Sequence, residues 1–378
     1  MNMSYPNYKP GLDGVIASIT SISYLDTDIE QIVVRGYDLI ELIQKTSYIK
    51  VAYLLIYNKL PSDAEAAAFE RKLMEQADIP EDMYKMFSLM PKTMSGMDSL
   101  RTGISFLAGY EKDEYLMDTS VESNEEKALK ILAQAPTIAV NSYRAIQGQP
   151  FVKPDKSLGY SENFIYMIKG SKPSEVETDT LDKILTAYIE HEMPNSTFTV
   201  RVVASTLSDI YGAIASAVAS LKGPLHGGAN EAAMKMFLEV MELGGPSKAE
   251  SYIMDKLNRK DKIMGFGHRV YMKKYDPRAY LLKDYIPKLA HLKPDGKDLA
   301  EIYTIIANVM EREKGLFPNA DYPIALLYYL IDVPIDLYTP IFLCSRTAGL
   351  VAHHIEQHAN NRLFRPRVIY EGARGLHP

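Results

Sequence analysis

The feature that most constrains this chain is a helical apolar rhythm cut up by proline and glycine, with little strand signal to compete with it. In residues 37–60, YDLIELIQKTSYIKVAYLLIYNKL, apolar side chains recur at three- and four-residue spacing, the period that gives a helix one buried face. Pro61-Ser62-Asp63 then stops that helix and caps the next, which carries AEAAAFERKLMEQA. The same rhythm predicts helices over 98–110, 126–147, 177–191, 196–222, 229–243, 247–257, 278–290, 298–314 and 323–331, with proline and glycine between them. Short β-branched runs occur in VIASITSISYLDTDIEQIVVRGYD, where intervening turn residues predict a small N-terminal hairpin or sheet. Strand–helix alternation of the kind that builds a parallel sheet is missing, as are repeats, low-complexity tracts and long linkers. The expected class is mainly α.

Composition narrows the function. Hydrophobic residues make up 47% of the 378, enough for a sizeable core. The net charge of −6 argues against a nucleic-acid binder, so an anionic substrate has to be met by a local cationic cluster. The single cysteine, Cys344, rules out an intramolecular disulfide and fits a reducing compartment. It lies in the apolar run Pro340-Ile-Phe-Leu-Cys344, which favours a buried packing role over a thiol nucleophile. MNMSYPNYKPGLDG does not read as a signal peptide. The most apolar segment, 322–344, is interrupted by Asp332, Pro334, Asp336 and Pro340, too often for a membrane span. The expectation is a soluble, cytoplasmic protein.

Histidines in unusual surroundings mark where chemistry could sit. In GPLHGGANEAA, His226 stands between a proline and a Gly-Gly pair just before a helix start, where backbone can approach a ligand and free N–H groups favour an anion. A turn histidine with no role fits the same residues. In GFGHRVYMKKYDPRA, His268 projects from a glycine corner that follows the basic stretch NRKDKIMG, which would suit a phosphate-bearing ligand; a solvated charge run before a loop is the alternative. His191 lies between Glu190 and Glu192, which could fix its tautomer, or it could simply face a helix C-terminus. His354 and His358 have the i, i+4 spacing that can bind zinc, but no third ligand stands at a usual spacing, and packing or a supporting role fits better. His353 faces elsewhere, and His291 and His377 read as solvated. Asp321, in LFPNADYPIAL, precedes an apolar helix where partial desolvation would make a better base. Arg278, Arg346 and Arg365, in DPRA, CSRTAG and FRPR, read as loop or helix-end positions whose forks suit a small dianion.

Taken in order, GPLHGGAN, GFGHRVY…DPRA, FPNADY and SRTAGLVAH…RPR resemble the citrate synthase family, and the similarity runs from RGYDLIEL nearly to the end of the chain. The resemblance implies a two-domain helical homodimer with a small N-terminal β element. Residues 1–227 plus 333–378 would form the large domain and 228–332 the small one, closing over oxaloacetate to create the acyl-CoA site. It implies His226 as the hydrogen-bond donor to the thioester oxygen, Asp321 as the base that takes the α-proton, and His268 as the group that polarises the oxaloacetate carbonyl. His191, Arg278, Arg346 and Arg365 would bind oxaloacetate, with Arg365 reaching the partner's site. Lys72, in FERKL, aligns with a position sometimes assigned to substrate binding. Arg259, Lys260, Asp261, Lys262, Ile263 and Gly265 match the CoA-binding stretch. Neither metal nor cofactor is required, the acyl-CoA being a substrate.

Within that family HRVYMKKYDPRA, HEMPNSTF and the HANNRLFRPR ending are most similar to 2-methylcitrate synthases; many citrate synthases have one residue fewer between the histidine and DPR. The implied donor is propionyl-CoA, with acetyl-CoA often accepted. The reaction then belongs to propionate catabolism by the 2-methylcitrate cycle. A citrate synthase of the tricarboxylic acid cycle using mainly acetyl-CoA is the alternative. One methylene in an apolar pocket is worth only about 1–3 kcal/mol of discrimination. Two further readings are a metal hydrolase built on His354 and His358, and a catalytically dead scaffold of the same fold. Against the scaffold, His226, His268 and Asp321 are all present.

Overall fold

Local chemistry sets where the elements begin. In the computed structural model, which describes residues 8–26, 28–267 and 275–378, the β-branched N-terminal runs form a three-stranded antiparallel sheet. Its strands are β1 Ser23–Asp26, β2 Gln31–Val34 and β3 Tyr37–Asp38, in that order, with Ser23 opposite Val34 and Val33 opposite Asp38. Asp38 ends the sheet and starts the first helix, its carboxylate accepting from the N–H of Ile40 at 2.7 Å. The helices that follow are α1 Leu39–Lys45, α2 Tyr48–Tyr57, α3 Asp63–Glu75, α4 Glu81–Ser88, α5 Gly96–Leu107, α6 Asp113–Leu116, α7 Val121–Ile146, α8 Tyr160–Lys169 and α9 Glu175–Tyr188. Next come α10 Asn195–Ala204, α11 Ile210–Lys222, α12 Ala229–Glu242, α13 Pro246–Asn258, α14 Pro277–Leu282, α15 Ile286–Leu289, α16 Gly296–Lys314, α17 Asp321–Leu330 and α18 Tyr338–Ala359. Ser62 and Glu65 form a reciprocal capping box at the start of α3.

Three expected helices are broken, each by a local polar or proline signal. The span 37–60 divides at Thr46, whose hydroxyl bonds back to Leu42 O at 2.7 Å. The span 196–222 divides at 205–209, where Ser205 and Thr206 bond back to carbonyls of α10 and Asp209 caps α11 through Gly212 N at 2.8 Å. The span 278–290 becomes two short helices with 3₁₀ turns, because Pro287 supplies no N–H. Arg346, expected at a loop or helix end, lies inside α18. That helix is buried on all sides, so it lacks the polar face that would have announced it.

α7 and α18 are the central pair. Both are buried along most of their length and pack on each other, and α18 also packs on α2, α5, α9, α10, α11 and α12. A second group, α12 to α17, packs mainly within itself and meets the rest where α12 touches α18, α14 touches α1 and α9, and α17 touches α9. The starts of α12 and α17 and the end of α9 therefore converge on one flank of α18. Among the described residues no helix is long and apolar enough to cross a membrane.

Candidate active site

Two groups face one small cavity at that convergence. It measures about 20 Å³ and is lined by His226, Asn230, Asp321, Thr339 and Phe342 among others. That is room for about one water. His226 sits in the turn between α11 and α12. Its Nε2 receives the backbone N–H of Ser196, the second residue of α10, at 3.1 Å. A backbone amide can only donate, so Nε2 is the acceptor and the ring N–H is on Nδ1. Burial, and then the charge of Arg346, lower its pKa to about 4, so the imidazole is neutral at pH 7. Asp321 opens α17. Burial pushes its carboxyl up, against the hydrogen bond from Tyr188 Oη and the charges of Arg278 and Arg346.

The cations lie behind this pair. Asp276 and Arg278 are both buried and pair as a fork: Nε to Oδ1 at 3.1 Å and Nη2 to Oδ2 at 2.9 Å. Asp276 Oδ2 also accepts the N–H of Ala320 at 3.1 Å, which ties Arg278 to the residue preceding Asp321. Arg346 is buried on α18, donates Nε to Tyr188 O at 2.6 Å and lies 4.8 Å from the centre of the Phe342 ring. Burial lowers its pKa to about 10, with Glu190 opposing the shift and Arg278 adding to it. His191 follows Glu190 in the turn after α9 and is nearly buried.

The remaining expected residues fall in three places. The stretch Arg259 to Gly265 leaves the end of α13 and folds onto the loop before Asp321. Arg259 Nε donates to Asp261 at 3.0 Å, Ile263 is buried, and Gly265 O accepts Asn319 N at 2.9 Å. Gly265 has φ +89°, and a Cβ there would lie 2.8 Å from the Tyr322 ring, so residue identity is forced by both torsion and space. Lys260 and Lys262 are exposed beside it. Lys72 is exposed on α3, which packs on α2, α7 and α8, and its charge faces Glu125. Arg365 is exposed in the extended C-terminal segment. Within one chain neither is brought to the cavity. His268 lies outside the described residues.

The His354 and His358 rings lie 4.1 Å apart on α18, tilted by 52°, and no group of three or more potential metal ligands occurs among the described residues. Cys344 is buried and its thiol is pushed up by burial. Tyr188, Asp276, Ser196 and Asn230 are the contributors the sequence reading did not single out. Asp276 was signalled by standing one proline before Arg278. Tyr188 is the last residue of amphipathic α9 and carried no mark.

A neutral donor and a raised carboxyl share one small cavity backed by buried guanidiniums, an arrangement that can make and quench a carbanion beside an anion. The chain belongs to the citrate synthase family. The family model described as "Citrate synthase, C-terminal domain" matches residues 11–367. The citrate/2-methylcitrate synthase of Bacillus subtilis is 50% identical over 97% of this chain and 97% of its own length. The citrate synthase of Heyndrickxia coagulans is 48% identical over 98% and 97%. The fold superposes with TM-score 0.90 and 32% identity on citrate synthase from Thermoplasma acidophilum, solved as a ternary complex with carboxymethyl coenzyme A and oxaloacetate; 98% of each chain is covered.

Proposed function

We propose that the chain condenses an acyl-CoA with oxaloacetate, releasing CoA and forming 2-methylcitrate from propionyl-CoA and citrate from acetyl-CoA. The family and its relatives support the condensation. The observation that carries the chemistry is the shared cavity of Asp321 and Nδ1-protonated, neutral His226. The α-proton beside a thioester is far less acidic than a carboxylic acid. Asp321 can remove it only if the charge developing on the thioester oxygen is met as it forms, and the Nδ1–H of His226 is the donor for that. The enol so made attacks the oxaloacetate ketone, polarised by His268. The citryl-type thioester is then hydrolysed. Arg278, Arg346 and His191 hold the oxaloacetate carboxylates; Arg259 to Gly265 hold CoA. Neither metal nor cofactor has a part in this scheme.

In this reading residues 228–332 form a small domain that closes on a large domain of 1–227 plus 333–378, excluding water until condensation is complete. The protein works as a homodimer, with Arg365 entering the partner's site, and acts in the cytoplasm in propionate catabolism or the tricarboxylic acid cycle. Lys72 has the least support, given its exposed place on α3. Propionyl-CoA is proposed as the preferred donor; a citrate synthase using chiefly acetyl-CoA is the second reading, favoured by the citrate synthase at 48% identity. The test is kcat/KM for both donors with oxaloacetate, followed by thiol release; a higher value for acetyl-CoA selects the second reading, and no release with either sinks the condensation. Sharing of Arg365 is tested by mixing an Arg365→Ala chain with an Asp321→Asn chain. Mixed dimers regain activity if the site is shared, and stay inactive if it is not.

A further inference from the structure

A buried polar chain behind the arginines has no part in the scheme above. One face of α18 presents Arg346, Gly349, His353 and Glu356 at helical spacing. His353 and Glu190 are 0% exposed and Arg201, on α10, is 1% exposed. Arg201 Nε donates to His353 Nδ1 at 3.0 Å. A guanidinium only donates, so Nδ1 is the acceptor and the ring N–H is on Nε2. That N–H points at Glu190 Oε1, 3.3 Å away, which Ser23 Oγ also reaches at 2.9 Å. The far end of Arg201 is anchored by Glu356, by Gln357 Oε1 at 3.1 Å and by Ser18 and Thr20 at 3.3 Å each. Donors therefore run one way, from α10 through α18, and end on one oxygen of Glu190.

The other oxygen, Oε2, is buried and accepts no hydrogen bond among the described residues. α18 passes so close that a Cβ on Gly349 would lie 2.0 Å from it. Glu190 and Arg346 attract each other electrostatically, and Arg346 gives its Nε to Tyr188 O, leaving its Nη groups for a carboxylate. A buried carboxylate that lost its hydrogen bonds would have the strongest reason to turn to that guanidinium, because an arginine fork binds carboxylates bidentately.

We propose that His353 and Arg201 are positioning residues of the dicarboxylate half-site, holding Glu190 so that it balances Arg346 without closing onto it. The substrate carboxylate then finds the guanidinium open. This rests on the reading of Arg346 as an oxaloacetate ligand.

The experiment is steady-state thiol release by the full-length protein, varying oxaloacetate and acyl-CoA separately. His353→Leu is expected to raise the oxaloacetate KM by about tenfold or more, the loss of a charge-linked hydrogen bond, and to leave the acyl-CoA KM within about twofold. Glutamine can accept from Arg201 and donate to Glu190 at once, so His353→Gln is expected to retain most of the affinity. Adding Glu190→Gln to His353→Leu is expected to lower the oxaloacetate KM again, because the competing charge is gone; lost packing alone predicts further damage. Equal impairment in the Leu and Gln variants, parallel rises in both KM values, or a double variant worse than the single overturns the proposal. If His353→Leu does not fold by circular dichroism, Arg201→Lys carries the test: it keeps a cation for Glu356, loses the Nε donor, and must show the same split in KM. A wild-type protein without thiol release sinks the condensing reading; an active one without the split sinks this inference alone.

Discussion

The two halves of the site treat charge in opposite ways. At His226 and Asp321 burial suppresses it: the imidazole is held neutral and the carboxyl is pushed up, each fixed by an uncharged partner, Ser196 and Tyr188. At Arg278 and Arg346 charge is kept and countered, by Asp276 in direct contact and by Glu190 at longer range. The difference fits the roles proposed for the two halves. A base and a neutral donor must be free to change proton or charge as the bond is made, whereas the anion's carboxylates need permanent cations. Burial alone cannot choose between these outcomes; the partners do. Asp182 illustrates this away from the site. Held by Ser161 Oγ and the Tyr48 N–H, it is pushed by burial up to about 6. Glu190, equally buried, stays below the usual range because burial is outweighed by His353, Arg346 and Ser23.

The comparison breaks most visibly at Asp321. Asp321→Asn is expected to lower kcat by about 10²–10⁴, the usual worth of a general base, with oxaloacetate binding little changed. Near-native turnover would remove Asp321 from that role. Next in size, Arg346→Gln should raise the oxaloacetate KM by about ten- to a hundredfold, with the acyl-CoA KM nearly constant. An unchanged value would show that the stored charge is not used for substrate.

The pH dependence sharpens the contrast further. The proposed role of Asp321 as base requires its ionised form, so activity is expected to fall as pH drops through its raised pKa. The Tyr188 hydrogen bond lowers that pKa and the charge of Asp276 raises it. Tyr188→Phe should therefore move the acid limb of the kcat profile to higher pH, and Asp276→Asn to lower pH. Limbs moving together would mean that a different group sets the profile.

The smallest effect concerns stability. Asp182 has a folded pKa above its unfolded one, so its contribution is fully present below about 3.9 and is lost as pH rises through about 6. Asp182→Asn should gain in melting temperature relative to wild type on going from pH 4 to pH 7. A constant difference would show that Asp182 is not the titrating group.

Legibility in the sequence followed physical cause. Amphipathic helices such as α12 and α16 were readable within a residue or two, because one polar face sets their period. α18 was not, since it is buried all round, and the break between α10 and α11 was hidden because apolar periodicity continues through it. In the site, His226 and Asp321 carried local marks, a glycine-flanked turn and a helix start. Tyr188 did not: its importance is a contact with Asp321 across 133 residues, which no local pattern encodes. His353 was passed over for the same reason, its partners being Arg201 and Glu190 on other segments.

Cys344 has a use beyond packing. It lies on α18, 1% exposed, with its thiol pushed up by burial. A colourless disulfide reagent that turns yellow on meeting a thiolate will therefore see liberated CoA and ignore the folded catalyst. With substrates left out, the same reagent can react only when α18 is laid open. The rate of colour then counts excursions of the central helix pair out of the native state. A single atom of sulfur thus makes one cuvette both a turnover assay and a clock for unfolding.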